Sequence, residues 1–158
     1  MGLLLRDMVA ADAPACAAIA CDSEIGERYG FDRAAMAAKL AGAAPAGGIV
    51  VVAELDGVVA GFAWIEPRGA FASAPYLRLV AVGPAARGSG VGSALLDEFE
   101  SRTAWLGRDW CLLVSDFNQS ARAFYERRGY RRVGLLPDFA KPGITEVFMA
   151  KRRAPPSD

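Results

Sequence analysis

The sequence predicts one mixed α/β domain, and three stretches carry that prediction. Residues 49–55 and 58–65 are apolar, strand-like runs joined by Asp56-Gly57, a pair favoured in two-residue hairpins because both central residues must take positive φ. Residues 76–82 form a further apolar run that leads through Gly83-Pro84 into Arg87-Gly88-Ser89-Gly90-Val91-Gly92. A helical pattern follows at once, with Val91, Leu95 and Phe99 spaced i, i+4, i+8 on one face. Asn118, Ala121 and Tyr125, spaced i, i+3, i+7, share one face of another helix that Gly129 stops.

The remaining elements fill in around these. Residues 4–8 read as a first strand. Asp12-Ala13-Pro14 then opens a helix to about residue 21, with Asp12 as N-cap and proline near the first position. Residues 22–31, holding Asp22, Glu24, Glu27, Tyr29, Gly30 and Phe31, read as a polar and aromatic loop. An alanine-rich helix runs from Asp32 to near Gly42, and Pro45, Gly47 and Gly48 lead on to the hairpin. The helix beginning at Gly90 is expected to reach about Leu106. Strands follow at 109–115, 131–136 and 146–151, the last two linked through Pro137, Pro142 and Gly143. No internal repeat or linker interrupts the chain.

Composition narrows the function. With 158 residues, 53% hydrophobic and 23% charged, the chain fits one globular domain, expected at 1–153 with a frayed tail at 154–158. No apolar run reaches the 18 or more residues of a membrane span. Met1-Gly2-Leu3-Leu4-Leu5-Arg6 lacks the basic flank of an export signal, and Arg6 stands where a myristoylation motif has Ser or Thr. A cytoplasmic protein without membrane contact is therefore expected. Cys16, Cys21 and Cys111 lack metal-ligand spacing and read as reduced, buried thiols. The chain has no histidine, which excludes Ser-His and Cys-His nucleophile pairs and the commonest zinc ligand. No metal is expected, and any general base must be a carboxylate, tyrosine, lysine or water.

Net charge is zero, yet residues 1–75 hold 5 Lys/Arg against 9 Asp/Glu and residues 76–158 hold 13 against 9. The positive half contains the glycine-rich turn, as a polyanionic ligand would require. No basic stripe with interleaved aromatics supports nucleic-acid binding.

A strand that delivers a glycine-rich turn into a helix N-terminus makes an anion site. The first-turn N–H groups lack helical partners, the macrodipole adds positive potential, and glycine lets a phosphate approach the backbone. The turn at 87–92 is not a P-loop, because no Gly-Lys-Ser/Thr follows. Nor is it a dinucleotide fingerprint, since Ser93 stands where the third glycine would fall. Alone it is equally a plain left-handed connection between strand and helix. Asn118 is likewise equally an N-cap, and Phe124 and Tyr125 core aromatics; but Ala121, small and on the same face, leaves a groove along the helix.

With both motifs in place, the chain resembles the GNAT superfamily of acyl-CoA-dependent N-acetyltransferases. Arg87-x-x-Gly90-x-Gly92 is similar to that family's pyrophosphate motif. Asn118-x-x-Ala121-x-x-Phe124-Tyr125-x-x-x-Gly129-Tyr130 is similar to its second cofactor motif. The resemblance implies a GNAT-type fold: a central, mostly antiparallel sheet of six to seven strands, splayed between strands 4 and 5 and flanked by about four helices. It implies acetyl-CoA as co-substrate. The pantetheine arm would pair with backbone near Val80, Ala81 and Val82. The diphosphate would take the amides of Gly88, Ser89, Gly90, Val91, Gly92 and Ser93, with Arg87 beside it. Asn118, Ala121, Phe124 and Tyr125 would flank the arm.

The resemblance also implies Tyr125 as general acid for the departing thiolate; a phenol near pKa 10 can donate to a thiolate whose thiol lies near 8.5. An alkyl amine must lose a proton before it attacks, and no motif fixes the base. Glu66 ranks first, with Asp116, Tyr76 or a water chain to a carboxylate as alternatives. The acidic stretch at Asp22, Glu24 and Glu27 would draw in a cationic acceptor or simply face solvent. The expected activity is acetyl transfer to a primary amine of unspecified identity, by direct attack in a ternary complex. A non-catalytic acyl-CoA-binding sensor of the same fold, or a nucleotide-binding α/β domain, are the alternatives. A homodimer is allowed by family habit alone.

Overall fold

Alternation along the hairpin decides how the molecule layers. The computed structural model describes residues 2–154. In it, β2 (Ile49–Leu55) and β3 (Val58–Ala70) pair antiparallel around Asp56-Gly57, at φ +52° and +82°. Successive strand residues point to opposite faces, so Val51, Ala63 and Ile65 meet one apolar layer while Val50, Val52, Phe62 and Trp64 meet another. β1 (Leu3–Asp7), β4 (Ala74–Val82), β5 (Asp109–Ser115), β6 (Arg131–Pro137) and β7 (Thr145–Arg152) complete a seven-stranded sheet ordered β1-β2-β3-β4-β5-β7-β6. Neighbours are antiparallel except β4 and β5.

Five α-helices cover the two faces: α1 (Ala13–Cys21), α2 (Glu24–Tyr29), α3 (Arg33–Ala41), α4 (Val91–Arg102) and α5 (Gln119–Arg127). Val91, Leu95, Leu96 and Phe99 of α4 pack on Val51, Ile65, Leu112 and Met149, with Tyr125 and Phe124 of α5 beside them. Cys16 and Ala20 of α1 and Leu40 of α3 pack on the opposite face with Phe62 and Trp64.

The parallel pair positions everything that follows. β4 and β5 are registered only at Tyr76↔Cys111 and Leu77↔Leu112, whereas β4 stays paired with β3 as far as Gly61↔Val82. Trp64 faces Leu79 and Ile65 faces Leu77, so Arg78 is an extra residue, a bulge that bends β4 at the point of separation. The splay implied by the resemblance is present between these two strands.

Several expectations need correction. Residues 22–31 contain α2 rather than a loop, raising the helix count from about four to five. Ser23 caps α2 by accepting the Gly26 amide at 3.0 Å, and Gly30 at φ +69° closes it. Six residues around a glycine give too little periodicity to read. That glycine is required by packing, since a Cβ on Gly26 would lie 2.2 Å from the Ala20 carbonyl oxygen. α4 ends at Arg102, four residues short of Leu106. There the Thr103 hydroxyl donates to the Phe99 carbonyl at 2.7 Å and accepts the Trp110 indole N–H at 3.0 Å. β3 and β4 extend beyond residues 65 and 76, to Ala70 and from Ala74, through Pro67 and Gly69, residues that read as strand breakers. Asp12 sits at the N-cap of α1 but does not cap that helix with its side chain, which binds Arg6 and the Val9 amide at the start of the preceding 3-10 turn instead. Residues 155–158 of the expected tail lie outside the described residues.

Candidate functional site

Where β4 leaves β5, the backbone edge of β4 past Leu77 has no strand beside it, and buried backbone polar groups require partners. A cavity of about 690 Å³ opens there. It is walled by Val80 and Val82 of β4, Leu113 and Val114 of β5, Leu96 of α4, and Ala121, Phe124 and Tyr125 of α5. It also reaches Ile25 of α2, on the opposite face of the sheet from α4 and α5, so the opening passes through the splay.

One end is the N-terminus of α4. Gly90 at φ +87° precedes the helix, and no side chain caps it, which leaves the first-turn amides unsatisfied by capping. Gly88 takes φ +78°, and both glycines line the cavity with Arg87, Gly92 and Ser93. A Cβ on Gly92 would meet nothing closer than Val82 Cγ2 at 3.8 Å. The small residue there therefore leaves space on the cavity wall without satisfying any packing demand of the protein. Arg127 of α5 also lines the cavity, and neither it nor Arg87 forms an ion pair among the described residues. The Arg87 guanidinium beside free amides, with Arg127 elsewhere on the same lining, suits a polyphosphate.

Ser89 differs from expectation. Its amide is used by the Ala86 carbonyl at 3.2 Å, its hydroxyl donates to the same oxygen, and it does not line the cavity. Ala81 points into the α1/α3 layer and Val91 is buried against the sheet, so of the expected strand and turn residues these contribute at most backbone.

Along the helix face, Asn118 caps α5: its Oδ1 accepts the Ala121 amide at 3.3 Å, while its side-chain NH₂ has no partner among the described residues. The cap reading of Asn118 is therefore present, and the same residue also lines the cavity. Tyr125 is 6% exposed, with ring contacts at 5.4 Å to Phe124 and 5.9 Å to Tyr130. Its hydroxyl accepts and donates nothing among the described residues and lines the cavity. Burial pushes its pKa well above that of an ordinary phenol, so the group is a neutral donor at any working pH.

The far end was largely invisible in the sequence. Ser115 lies directly opposite Glu146 on the antiparallel β5–β7 pair, and both are 5% exposed. Tyr29 of α2 covers them, its hydroxyl donating to Glu146 Oε1 and lying 2.8 Å from Ser115 Oγ. Burial raises the Glu146 carboxyl above the usual glutamate range. Ser115 lines the cavity, as do Ile25 and Arg78. An isolated Glu146 in a strand and a Tyr29 in a presumed loop offered no signal of this meeting.

Glu66 stands away from the cavity lining. Its Oε1 accepts the Trp64 indole N–H at 2.9 Å and lies 3.6 Å from the Arg78 guanidinium, which stacks 3.9 Å over the Trp64 ring. Glu66 thus holds Arg78, and Arg78 meets the cavity. Tyr76 packs with Ala70, Cys111 and Phe148, away from the lining, and Asp116 is exposed. Asp22 pairs with Arg33 and Glu24 with Arg28, which cancels much of the acidic character expected of that stretch. Among the described residues no cluster of three metal-ligating side chains occurs, and no helix is long and apolar enough to cross a membrane.

A sheet split at one parallel pair, with a glycine-opened helix at one end of the cleft and a buried phenol within it, defines an acyltransferase of the GNAT type. Residues 46–132 match the Acetyltransferase (GNAT) domain family, and the chain belongs to that family. A ribosomal-protein-alanine N-acetyltransferase from Brucella melitensis is 25% identical, covering 94% of this chain and 99% of its own, with a TM-score of 0.77. A phosphinothricin acetyltransferase from Sinorhizobium meliloti, solved with acetyl-CoA, is 25% identical over 100% of this chain and 95% of its own, at a TM-score of 0.76. An aminoglycoside 6′-N-acetyltransferase complexed with coenzyme A shares the fold at a TM-score of 0.78, with 17% identity over 98% and 99% of the two chains. No curated protein sequence matches the chain.

Proposed function

We propose that this acetyltransferase, acting as one domain over residues 1–153, moves the acetyl group of acetyl-CoA to a primary amine by direct attack in a ternary complex. The observation that carries the proposal is the continuous cavity from the N-terminus of α4, through the splay, to the Tyr125 hydroxyl and on to Ser115. Coenzyme A fits the residues present. The unpartnered β4 edge suits an arm rich in amides, the open space at Gly92 and the α4 amides suit a diphosphate, and Arg87 and Arg127 match its charge. Coenzyme A in the aminoglycoside enzyme and acetyl-CoA in the phosphinothricin enzyme support the same ligand here.

When bound, acetyl-CoA supplies an activated thioester whose leaving group is a thiolate. Val80 and Val82 orient the arm along β4, and the Asn118 amide donates to it. Ala121 leaves room where a larger side chain would close the groove. Phe124 and Leu96 exclude water, which strengthens every polar contact inside. Tyr125 holds its proton through burial and donates it where negative charge develops on sulfur, an effect worth roughly 10²–10⁴ in rate. Arg78, held by Glu66, sets the acceptor-side wall.

Thiol release from acetyl-CoA across a panel of amines tests the proposal: spermidine, kanamycin, an alanine-terminated peptide and free amino acids. Release that depends on an amine, with the acetylated amine found by mass spectrometry, is expected. Tight coenzyme A binding with no release for any amine would instead make the protein an acyl-CoA sensor.

A further inference from the structure

Two carboxylates on the α1–α3 face of the sheet are nearly buried, and they differ in one respect. Asp12 carries the Arg6 guanidinium at 2.7 Å. Glu146, equally enclosed, has no cation within ion-pair distance among the described residues; its partner is the Tyr29 hydroxyl. A buried carboxylate without a cation is costly, and the place where a cation can arrive is one hydroxyl further on, in the cavity.

The donor directions are fixed by elimination. The Tyr29 proton points to Glu146 Oε1, so the 2.8 Å contact with Ser115 must run from the Ser115 hydroxyl to the Tyr29 oxygen. Ser115 Oγ is then left with lone pairs at the cavity wall and no proton to give there. The chain of three groups is polarised in one sense, from cavity to buried carboxylate.

Resting on the acetyl-transfer reading above, we infer that Ser115 receives the acceptor ammonium and that Tyr29 and Glu146 carry its proton away. One N–H bond of the ammonium breaks and its proton bonds to Ser115 Oγ. The Ser115 proton passes to the Tyr29 oxygen, and the Tyr29 proton passes to Glu146 Oε1. The electron pair stays on nitrogen, which becomes the nucleophile, and the positive and negative charges annihilate inside the protein. Ser115 is the contacting residue; Tyr29 and Glu146 act through it. The raised carboxyl pKa of Glu146 makes it a stronger proton acceptor than a surface glutamate.

A purely structural role, pinning α2 to the sheet, is separable. α2 is also held by Arg28 stacked 4.1 Å over the Phe117 ring and by Lys141 Nζ donating to the Arg28 carbonyl at 2.6 Å. Tyr29 additionally stacks on Phe31 at 5.7 Å, a contact that Tyr29→Phe keeps.

The test compares Glu146→Gln and Tyr29→Phe with wild type on two acceptors, butylamine, an ammonium at neutral pH, and methoxyamine, already uncharged there. Because only butylamine needs deprotonation, each variant should lower kcat/KM for butylamine roughly 10²-fold and lower it far less for methoxyamine, with coenzyme A affinity by calorimetry retained. Equal losses on both amines, no loss on either, or the selective loss appearing in Glu66→Gln instead would overturn the inference. A wild-type protein that binds coenzyme A yet releases thiol with neither of these amines nor any amine of the panel above would overturn the acetyl-transfer reading, and this inference with it.

Discussion

Leu77 faces Leu112 across the parallel strands β4 and β5, and beyond that pair the two strands have no further register. The cavity, its unpartnered strand edge and its passage to the other face of the sheet all follow from this separation. Because α4 starts just after β4 and α5 just after β5, parting these strands sets the glycine turn and the Asn118–Tyr125 face on either side of one cleft.

Gly92→Asp tests the anion end without straining the fold. The backbone there is not left-handed and a Cβ has 3.8 Å of clearance, unlike Gly88 and Gly90, whose positive φ would confuse the result. The added carboxylate would face the diphosphate. Coenzyme A affinity should fall at least about tenfold, equivalent to about 1.4 kcal/mol, with the thermal midpoint of the free protein nearly unchanged; calorimetry and a melting curve decide it.

Tyr125→Phe should leave both ring contacts, with Phe124 and Tyr130, in place. It removes a hydroxyl with no partner among the described residues, so stability should hold. A fall in kcat of roughly 10²-fold or more, with little change in coenzyme A affinity, is expected. Equal turnover would remove the acid role and leave Tyr125 as a packed aromatic.

Gly26→Ala tests how α2 shapes the acceptor end. The new methyl would collide with the Ala20 and Cys21 backbone, at 2.2 and 2.6 Å, and α2 must move. A cost of about 1–3 kcal/mol, the range for forced overpacking, should appear in urea denaturation. Amine transfer should suffer more than coenzyme A binding, because Ile25 and Tyr29 ride on α2 while the anion site does not.

Acid should expose the Arg6–Asp12 pair. The Arg6 hydrogen bond lowers the Asp12 pKa in the folded protein below its ordinary value. The native state therefore binds fewer protons than the unfolded chain. The contribution is fully present above the ordinary carboxylate pKa of about 3.9 and is lost as pH falls through the lowered native value. Asp12→Asn should be less stable than wild type near neutrality and the gap should close on acidification, as measured by denaturant midpoints between neutral pH and pH about 3.

What could be read in advance depended on whether the determinants were local. Asp56-Gly57 announced its hairpin because a two-residue turn needs those φ values wherever it occurs, Gly88 and Gly90 announced the turn into α4 for the same reason, and Asn118 announced α5 because its side chain caps the first turn. The bulge at Arg78 and the long tips of β3 and β4 depend on register between strands, and no single segment records register. α2 is too short to show a period and is fixed by contact with α1. Glu66 looked exposed to the acceptor because it follows an apolar run; a two-residue reach to Trp64 and a cross-strand Arg78 turn it aside. Ser115, Tyr29 and Glu146 come from three separate elements, up to 117 positions apart, so only the folded chain brings them together.

The most direct test of the central claim is a crystal structure with acetyl-CoA bound. The account predicts the diphosphate on the amides at the start of α4 and beside Arg87, the arm along β4 past Leu77, and the thioester sulfur within hydrogen-bonding reach of the Tyr125 hydroxyl. Acetyl-CoA lodged outside the β4–β5 opening, or with its sulfur remote from Tyr125, would contradict it.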